Sequence, residues 1–453
     1  MTTVVSFVAV IGILILIHEL GHFLVARWTG VGVERFSIGF GPVLLRWRGK
    51  ETEYALSAIP MGGYVKMMGE ESPLEGGAQP DYDPAKAFAL KPLWARFLIV
   101  FAGPGMNFVL AMVIFAIVLA TQGRPVWPAV VGRVTDGSPA ATVLRTGDVV
   151  TAINGRPVVF WEDIDRALGE SDGRPLELRV QRGSSEQTVT VTPRVRTIPD
   201  PIFREPHDVW DIGAGPKFIP QITSVGAGSP AEKAGLRPGD TVIEIEGKPL
   251  YTTDDLLDAI RSRPGQALSL TVDREGRRIT AVVTPEPVKE TTPGGQETTV
   301  GKIQAGLAPK ADTYERYGPV EAIRLGAVRT WDMTVLTIKG LWKLVSRQIA
   351  SSNIGGPIQI ATEAGRQAKE GLFYLALFTA VISVNLAVLN LLPVPMLDGG
   401  HLLFFVIEAV LKRPLSVQKR EAAQRVGFVL LMLLMVYALY NDLVRIDAFK
   451  VFR

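Results

Sequence analysis

The sequence predicts a multi-domain membrane protein: an α-helical transmembrane core of about four spans with a β-hairpin and a tandem pair of small α+β domains. Three observations predict it. Hydrophobic residues make up 47% of the 453 positions and charged residues only 21%, a balance that points away from a wholly soluble chain. Four stretches, near Val4–Ala26, Phe97–Ala120, Leu372–Leu392 and Val426–Leu443, are apolar over roughly 18 to 24 residues, enough to cross about 30 Å of hydrocarbon as helices. Between the second and third lies a long polar region with an internal repeat.

The first stretch has no basic leading region. His18, Glu19 and His22 interrupt its end where a signal peptide would carry small residues, so it reads as an uncleaved span. Arg27, Arg35, Arg46, Arg48, Lys50, Lys66, Lys86, Lys91 and Arg96 all fall between spans one and two, and that excess of positive charge predicts a cytoplasmic loop. Both termini and the region Thr121–Gly371 then lie on the far side of the membrane.

Within that loop, Thr52–Met68 alternates apolar and polar residues around Pro60-Met61-Gly62-Gly63, which reads as a hairpin. On the far side, Val134-Thr-Asp-Gly-Ser-Pro-Ala140 returns as Val225-Gly-Ala-Gly-Ser-Pro-Ala231, about 91 residues later. Gly147-Asp148 aligns with Gly239-Asp240, and Ile212-Gly213-Ala214 with Ala305-Gly306-Leu307. Each copy carries short strands (Asp148–Ile153 and Leu176–Val180; Thr241–Ile245 and Leu268–Val272) and one amphipathic helix (Trp161–Leu168; Thr253–Arg261). The pair resembles PDZ domains of the circularly permuted bacterial form, which implies carboxylate-binding turns at Gly213 and Gly306. In such domains an extended peptide adds to a sheet edge; spacers that bind nothing are the plainer reading.

The expected organisation is spans one and two with their loop over 1–121, the first repeat over 122–218 and the second over 219–311. Amphipathic linker helices occupy 312–371, and spans three and four 372–453. In the linker, Trp331, Val335, Ile338, Leu341, Trp342 and Val345 recur at helical spacing beside Arg324, Arg329, Lys339 and Lys343. That pattern suits a helix on the membrane surface or a core element of the domain.

Composition also excludes. There are no cysteines, so any metal must be held by His, Asp or Glu. The formal charge of +3 and the lack of a dense Lys/Arg run exclude a nucleic-acid partner.

His18 and His22 stand four apart on a predicted helix, so both imidazoles project from one face and can share a metal ion. Glu19 beside them can take a proton from the attacking water. This is the His-Glu-x-x-His pattern of metalloproteases. The chain has only four histidines, and three ionisable groups at the end of a membrane span are costly unless they serve a function. A metal-free cluster reaching toward interfacial water is the bland alternative. A further protein ligand is needed, and Asn390-Leu-Leu-Pro393-Val-Pro395-Met-Leu-Asp398-Gly-Gly-His401 offers two, Asp398 and His401, which spacing does not separate. Its two prolines break the third span, as backbone lining a buried cavity can. Gly103-Pro104 and Asn107 in the second span read as a packing kink.

Together, the apolar helix bearing His-Glu-Leu-Gly-His, the Asn-x-x-Pro-x-Pro-x-x-Asp-Gly element and the PDZ pair resemble the site-2 protease family of intramembrane zinc metalloproteases. Val33–Gly41, Met61–Met67, Ala102-Gly-Pro104 and Ile382–Asn385 extend the likeness over nearly the whole chain. The resemblance implies Zn2+ held by His18, His22 and Asp398, with Glu19 as general base. It implies that the hairpin re-enters the membrane, where Met61, Gly62, Gly63 and Tyr64 would lie against an extended substrate. Asn390, with Pro393 and less directly Asn385, would hold that substrate; otherwise Asn390 only satisfies freed helix carbonyls. The implied substrates are single-span membrane proteins, a pre-cleaved anti-sigma factor and remnant signal peptides among them. The implied location is the bacterial inner membrane, with periplasmic PDZ domains and the active site toward the cytoplasm. A metal transporter or a PDZ scaffold would explain parts of the pattern, but neither needs Glu19.

Overall fold

Long runs of Leu, Ile, Val, Ala and Phe, almost free of charge, leave helix as the conformation that satisfies every backbone group within one segment. In the computed structural model, which describes residues 2–70, 83–200, 202–203, 205–291, 297–310, 313–349, 354–413 and 415–445, ten α-helices form. They are α1 (Thr2–Trp28), α2 (Leu93–Thr121), α3 (Trp161–Glu170), α4 (Pro230–Lys233), α5 (Thr253–Arg261), α6 (Pro319–Val345), α7 (Pro357–Glu370), α8 (Leu372–Asn390), α9 (Asp398–Leu411) and α10 (Val417–Arg445). Four of them, α1, α2, α8 and α10, are long and apolar enough to cross a membrane, and each contains one of the expected spans or nearly all of it. The chain divides into two units, 1–123 with 316–453, and 124–315.

In the first unit α1 and α2 pack tightly because Gly21 lies under the Ala102 carbonyl, where a side chain would not fit. Pro104 sits inside α2 without ending it. Helix α6 packs on α2 and α8 while leaving Trp331, Ile338, Trp342 and Val345 exposed. Its Gly326 packs on the backbone of Met112 and Ala116, and Met333 and Leu341 join a cluster with Ala111, Phe115, Ala380 and Val384. It therefore runs against two of the spans. At the N-terminus of α7, Asp442 of α10 accepts hydrogen bonds from the amides of Gly356, Ile358 and Gln359 at 2.9, 2.9 and 3.2 Å, which neutralises donors that would otherwise be orphaned.

The loop between α1 and α2 forms two long strands, β1 (Val33–Arg48) and β2 (Glu53–Met67). The two arms of β2 do not pair with each other, as a hairpin folded about Pro60–Gly63 would require. Residues 35–38 of β1 lie between them, bonded to 53–56 on one side and 63–66 on the other, while 43–48 pair with 53–57. The hairpin turn falls instead at 49–52, where Gly49 N–H donates to the Thr52 carbonyl. Gly39 and Gly41, both left-handed (φ +89° and +84°), fold β1 back on itself and so create the extra strand. The arm 63–66 is left as an edge.

In the second unit each copy of the repeat builds an antiparallel sheet beside one helix. The sheets include Val149–Ile153, Leu176–Arg182 and Ser185–Val191 in the first copy, and Thr241–Ile245, Leu268–Arg274 and Arg277–Val283 in the second. Helices α3 and α5 bury Ile164, Leu168, Leu256 and Ile260 in the two cores. The turn alignment is corrected by one feature. Thr135 N–H donates to the Gly213 carbonyl as Gly226 N–H donates to that of Gln304, and Gly213 and Gln304 are both left-handed. Gly306, expected in the turn, pairs with Ser224 inside the strand Ala305–Lys310. Hydrogen-bond register sets the equivalence, and a sequence match on glycine missed it.

Candidate metal centre

His18 and His22 point from one face of α1, one helical turn apart, and both are buried. Across from them, α8 ends at Asn390, the chain turns through Leu391–Leu397, and α9 begins at Asp398. Met396 takes a left-handed conformation (φ +89°), a strained geometry for a side chain of its size, and Gly399 and Gly400 press on the carbonyls of Leu391, Leu392 and Val394. No side chain would fit at either glycine. The tight turn delivers the Asp398 carboxylate to the two histidines: His18 Nε2 lies 3.1 Å from one of its oxygens and His22 Nε2 3.7 Å from the other. The two Nε2 atoms are 3.3 Å apart.

These separations suit zinc. With Zn–N and Zn–O bonds of about 2.0–2.2 Å, tetrahedral donors stand about 3.3 Å from one another. Among the described residues, His18, His22 and Asp398 form the group whose ligand atoms share one point, and His401, the competing candidate, is outside it. The tautomer of His22 also fits, because Nδ1 donates to the Ile99 carbonyl at 2.8 Å and leaves the Nε2 lone pair free. On the other side of the rings α2 presents Gly103, where a Cβ would collide with both imidazoles, and Asn107, which is 0% exposed and 3.2 Å from His18 Nδ1. Sequence reading assigned Asn107 to packing; its only signal was a carboxamide inside an apolar span.

Glu19 is half-buried, and a Cβ on Gly63 would come within 3.0 Å of its Cγ, so the 63–66 edge passes beside it. Gly62 (φ +132°) lies against the Phe40 ring, which stacks on Tyr64 at 6.2 Å; the Tyr64 hydroxyl accepts from Arg35. The Met61 side chain is outside the described residues. Asn390 is half-buried with no side-chain hydrogen bond among the described residues, and Pro393 is exposed. Asn385, by contrast, is engaged by Thr337 of α6, whose hydroxyl donates to it at 2.7 Å.

A helical membrane core that brings two imidazoles and a carboxylate to one point, with a glutamate alongside, is the architecture of an intramembrane metalloprotease. The chain belongs to peptidase family M50, the site-2 protease family, whose profile matches residues 6–434. It is 36% identical over 452 residues to the regulator of sigma-E protease RseP of Escherichia coli K12, covering 97% of this chain and 98% of that one. The protein of the same name from Salmonella typhimurium is 35% identical over 469 residues, with coverage of 97% and 98%. A Ralstonia nicotianae chain whose name describes a zinc metalloprotease is 38% identical over 466 residues, covering 98% and 99%. The protein is accordingly a multi-pass membrane zinc metalloprotease of the site-2 type.

Proposed function

We propose that His18, His22 and Asp398 hold the zinc, that Glu19 is the general base, and that the reaction is hydrolysis of peptide bonds within transmembrane segments of single-span proteins. The observation that carries this reading is the convergence of the three ligand atoms between α1 and the start of α9, beside Glu19. When bound, zinc supplies acidification of a water and polarisation of the scissile carbonyl. His18 and His22 bind through Nε2 and Asp398 through its carboxylate. The Glu19 carboxylate accepts the proton of the attacking water and delivers it to the departing amide nitrogen. The carbonyl carbon gains the water oxygen and loses the C–N bond.

A substrate helix has its carbonyls tied up and must be drawn into extended form before water can attack. The edge at 63–66, which passes Glu19, supports a re-entrant sheet that receives such a strand by backbone pairing. Gly62, Gly63 and Tyr64 shape that edge, with Met61 adjoining it. The uncommitted carboxamide of Asn390 and the turn at Pro393 hold the strand from the opposite side.

The two copies in 124–315 act as tandem PDZ domains on the periplasmic face of the inner membrane, as a size filter or as readers of a new C-terminus. Their turns are then at Gly213 and Gln304. The names of the relatives support a role in sigma-E regulation; a pre-cleaved anti-sigma factor is the substrate we propose, with remnant signal peptides beside it. Co-expression with single-span candidates tests the reading. Wild type yields a trimmed product, whereas Glu19→Gln and Asp398→Asn do not, and Glu19→Gln keeps its zinc. Trimming by Glu19→Gln would overturn the assignment.

A further inference from the structure

Asn107 lies outside the expected ligand set, yet its environment is built around His18. The residue is 0% exposed in the middle of α2. Its backbone carbonyl is fixed by the hydroxyl of Ser383 on α8, which donates at 2.7 Å, and Gly103, one turn before it on α2, lets that helix approach the imidazoles. The side-chain Nδ2 stands 3.2 Å from His18 Nδ1, while Oδ1 is buried with no partner among the described residues.

That arrangement leaves two polar groups mismatched. If Nδ2 donates to Nδ1, the proton of the neutral imidazole must sit on Nε2, the atom that faces His22 and Asp398, and His18 can then bind no metal. A buried carbonyl oxygen without a donor costs about 1–3 kcal/mol besides. A half-turn of the carboxamide, which exchanges O and N in the same envelope, removes the tautomer conflict and gives the oxygen a donor. Oδ1 then accepts from His18 Nδ1–H, and the Nε2 lone pair faces the metal point.

We propose that Asn107 is a positioning residue that accepts a hydrogen bond from His18 Nδ1–H through Oδ1 and so sets the ligating tautomer. It does for His18 what the Ile99 carbonyl does for His22. The inference rests on His18 being a zinc ligand.

The test measures zinc affinity of the full-length protein in detergent by chelator competition, for wild type, Asn107→Leu, Asn107→Asp and His18→Ala. Loss of a supporting acceptor weakens metal binding about 10- to 100-fold. Asn107→Leu is expected to weaken zinc by that factor while its melting temperature with chelator present stays near that of wild type. Asn107→Asp keeps an acceptor oxygen but no donor, and is expected to retain zinc within a few-fold of wild type. Equal zinc affinity in Asn107→Leu and wild type overturns the inference, as does an Asn107→Asp that binds as poorly as Asn107→Leu. If His18→Ala binds zinc like wild type, the ligand assignment itself is wrong, an outcome separate from either.

Discussion

Gly103 of α2 faces the imidazole of His22 so closely that a Cβ there would overlap its ring and come within 2.8 Å of His18 Nε2. The wall of the metal centre is thus bare backbone. Any methyl at this position pushes the rings away from Asp398 or α2 away from α1.

Gly103→Ala is therefore expected to lower zinc affinity about tenfold or more, in line with the 1–3 kcal/mol that overpacking costs in a dense interior. Zinc stoichiometry of the purified variant checks this. Gly105, two residues on, has only the Phe101 ring near its Cβ position among the described residues, so Gly105→Ala should leave zinc unchanged.

A second prediction concerns the helix that begins with Asp398. Arg96 of α2 makes a bidentate contact with Glu408 of α9 at 2.6 and 3.2 Å, both side chains mostly buried, and its guanidinium lies over the Phe405 ring. This pair pins α9 to α2 three turns beyond the ligand. Arg96→Met leaves Glu408 buried without its partner, at a cost of about 3 kcal/mol. A fall in melting temperature is expected, and the double variant Arg96→Met/Glu408→Met should recover most of it. No recovery would mean that the two side chains act independently.

The four apolar helices and the facing pair His18 and His22 were legible because hydrophobic length and helical spacing are local properties. Asp398 was legible only as one of two candidates, since the turn that aims it depends on Met396, Gly399 and Gly400 closing on carbonyls of the preceding segment. The sheet between α1 and α2 was half legible. Alternation in Thr52–Met68 marked strands, but the insertion of 35–38 between its arms is a long-range pairing that no periodicity encodes. Asn107 was missed for a similar reason: its partner His18 lies 89 positions away on another helix.

The repeat offers a pH test. In the second copy Arg274 binds Asp240 through Nε and Nη2 at 2.6 and 2.7 Å, and in the first Arg182 binds Asp148 at 2.8 and 2.6 Å. Burial raises the pKa of each aspartate, but the arginine and a backbone amide more than offset it and hold both below the usual carboxylate range. A depressed carboxylate stabilises the fold above its unfolded pKa of about 3.9, and the contribution fades as pH falls through the lower folded value. Arg274→Met weakens this, because Asp240 is then buried without its hydrogen-bonded cation and keeps only the Arg237 amide and the charge of that residue. At pH 7 the variant should lose about 3 kcal/mol. Part should return near pH 4 as Asp240 takes a proton, seen as a narrower gap between the two melting curves.

Gly62 separates the substrate strand from the metal centre experimentally. Its φ of +132° is strained for any L side chain, and a Cβ would enter the Phe40 ring. A methyl there must displace Phe40, which stacks on Tyr64, and so shift the 63–66 edge where it passes Glu19. The proposed zinc ligands come from α1 and α9 and their supports from α2, so none of that site sits on this sheet. Gly62→Ala is accordingly expected to bind zinc as wild type does while cleaving a single-span reporter about 100-fold more slowly, the penalty for misplacing reacting groups by about 1 Å. Full cleavage would remove the strand from the substrate path, and loss of zinc would make the sheet part of the metal site.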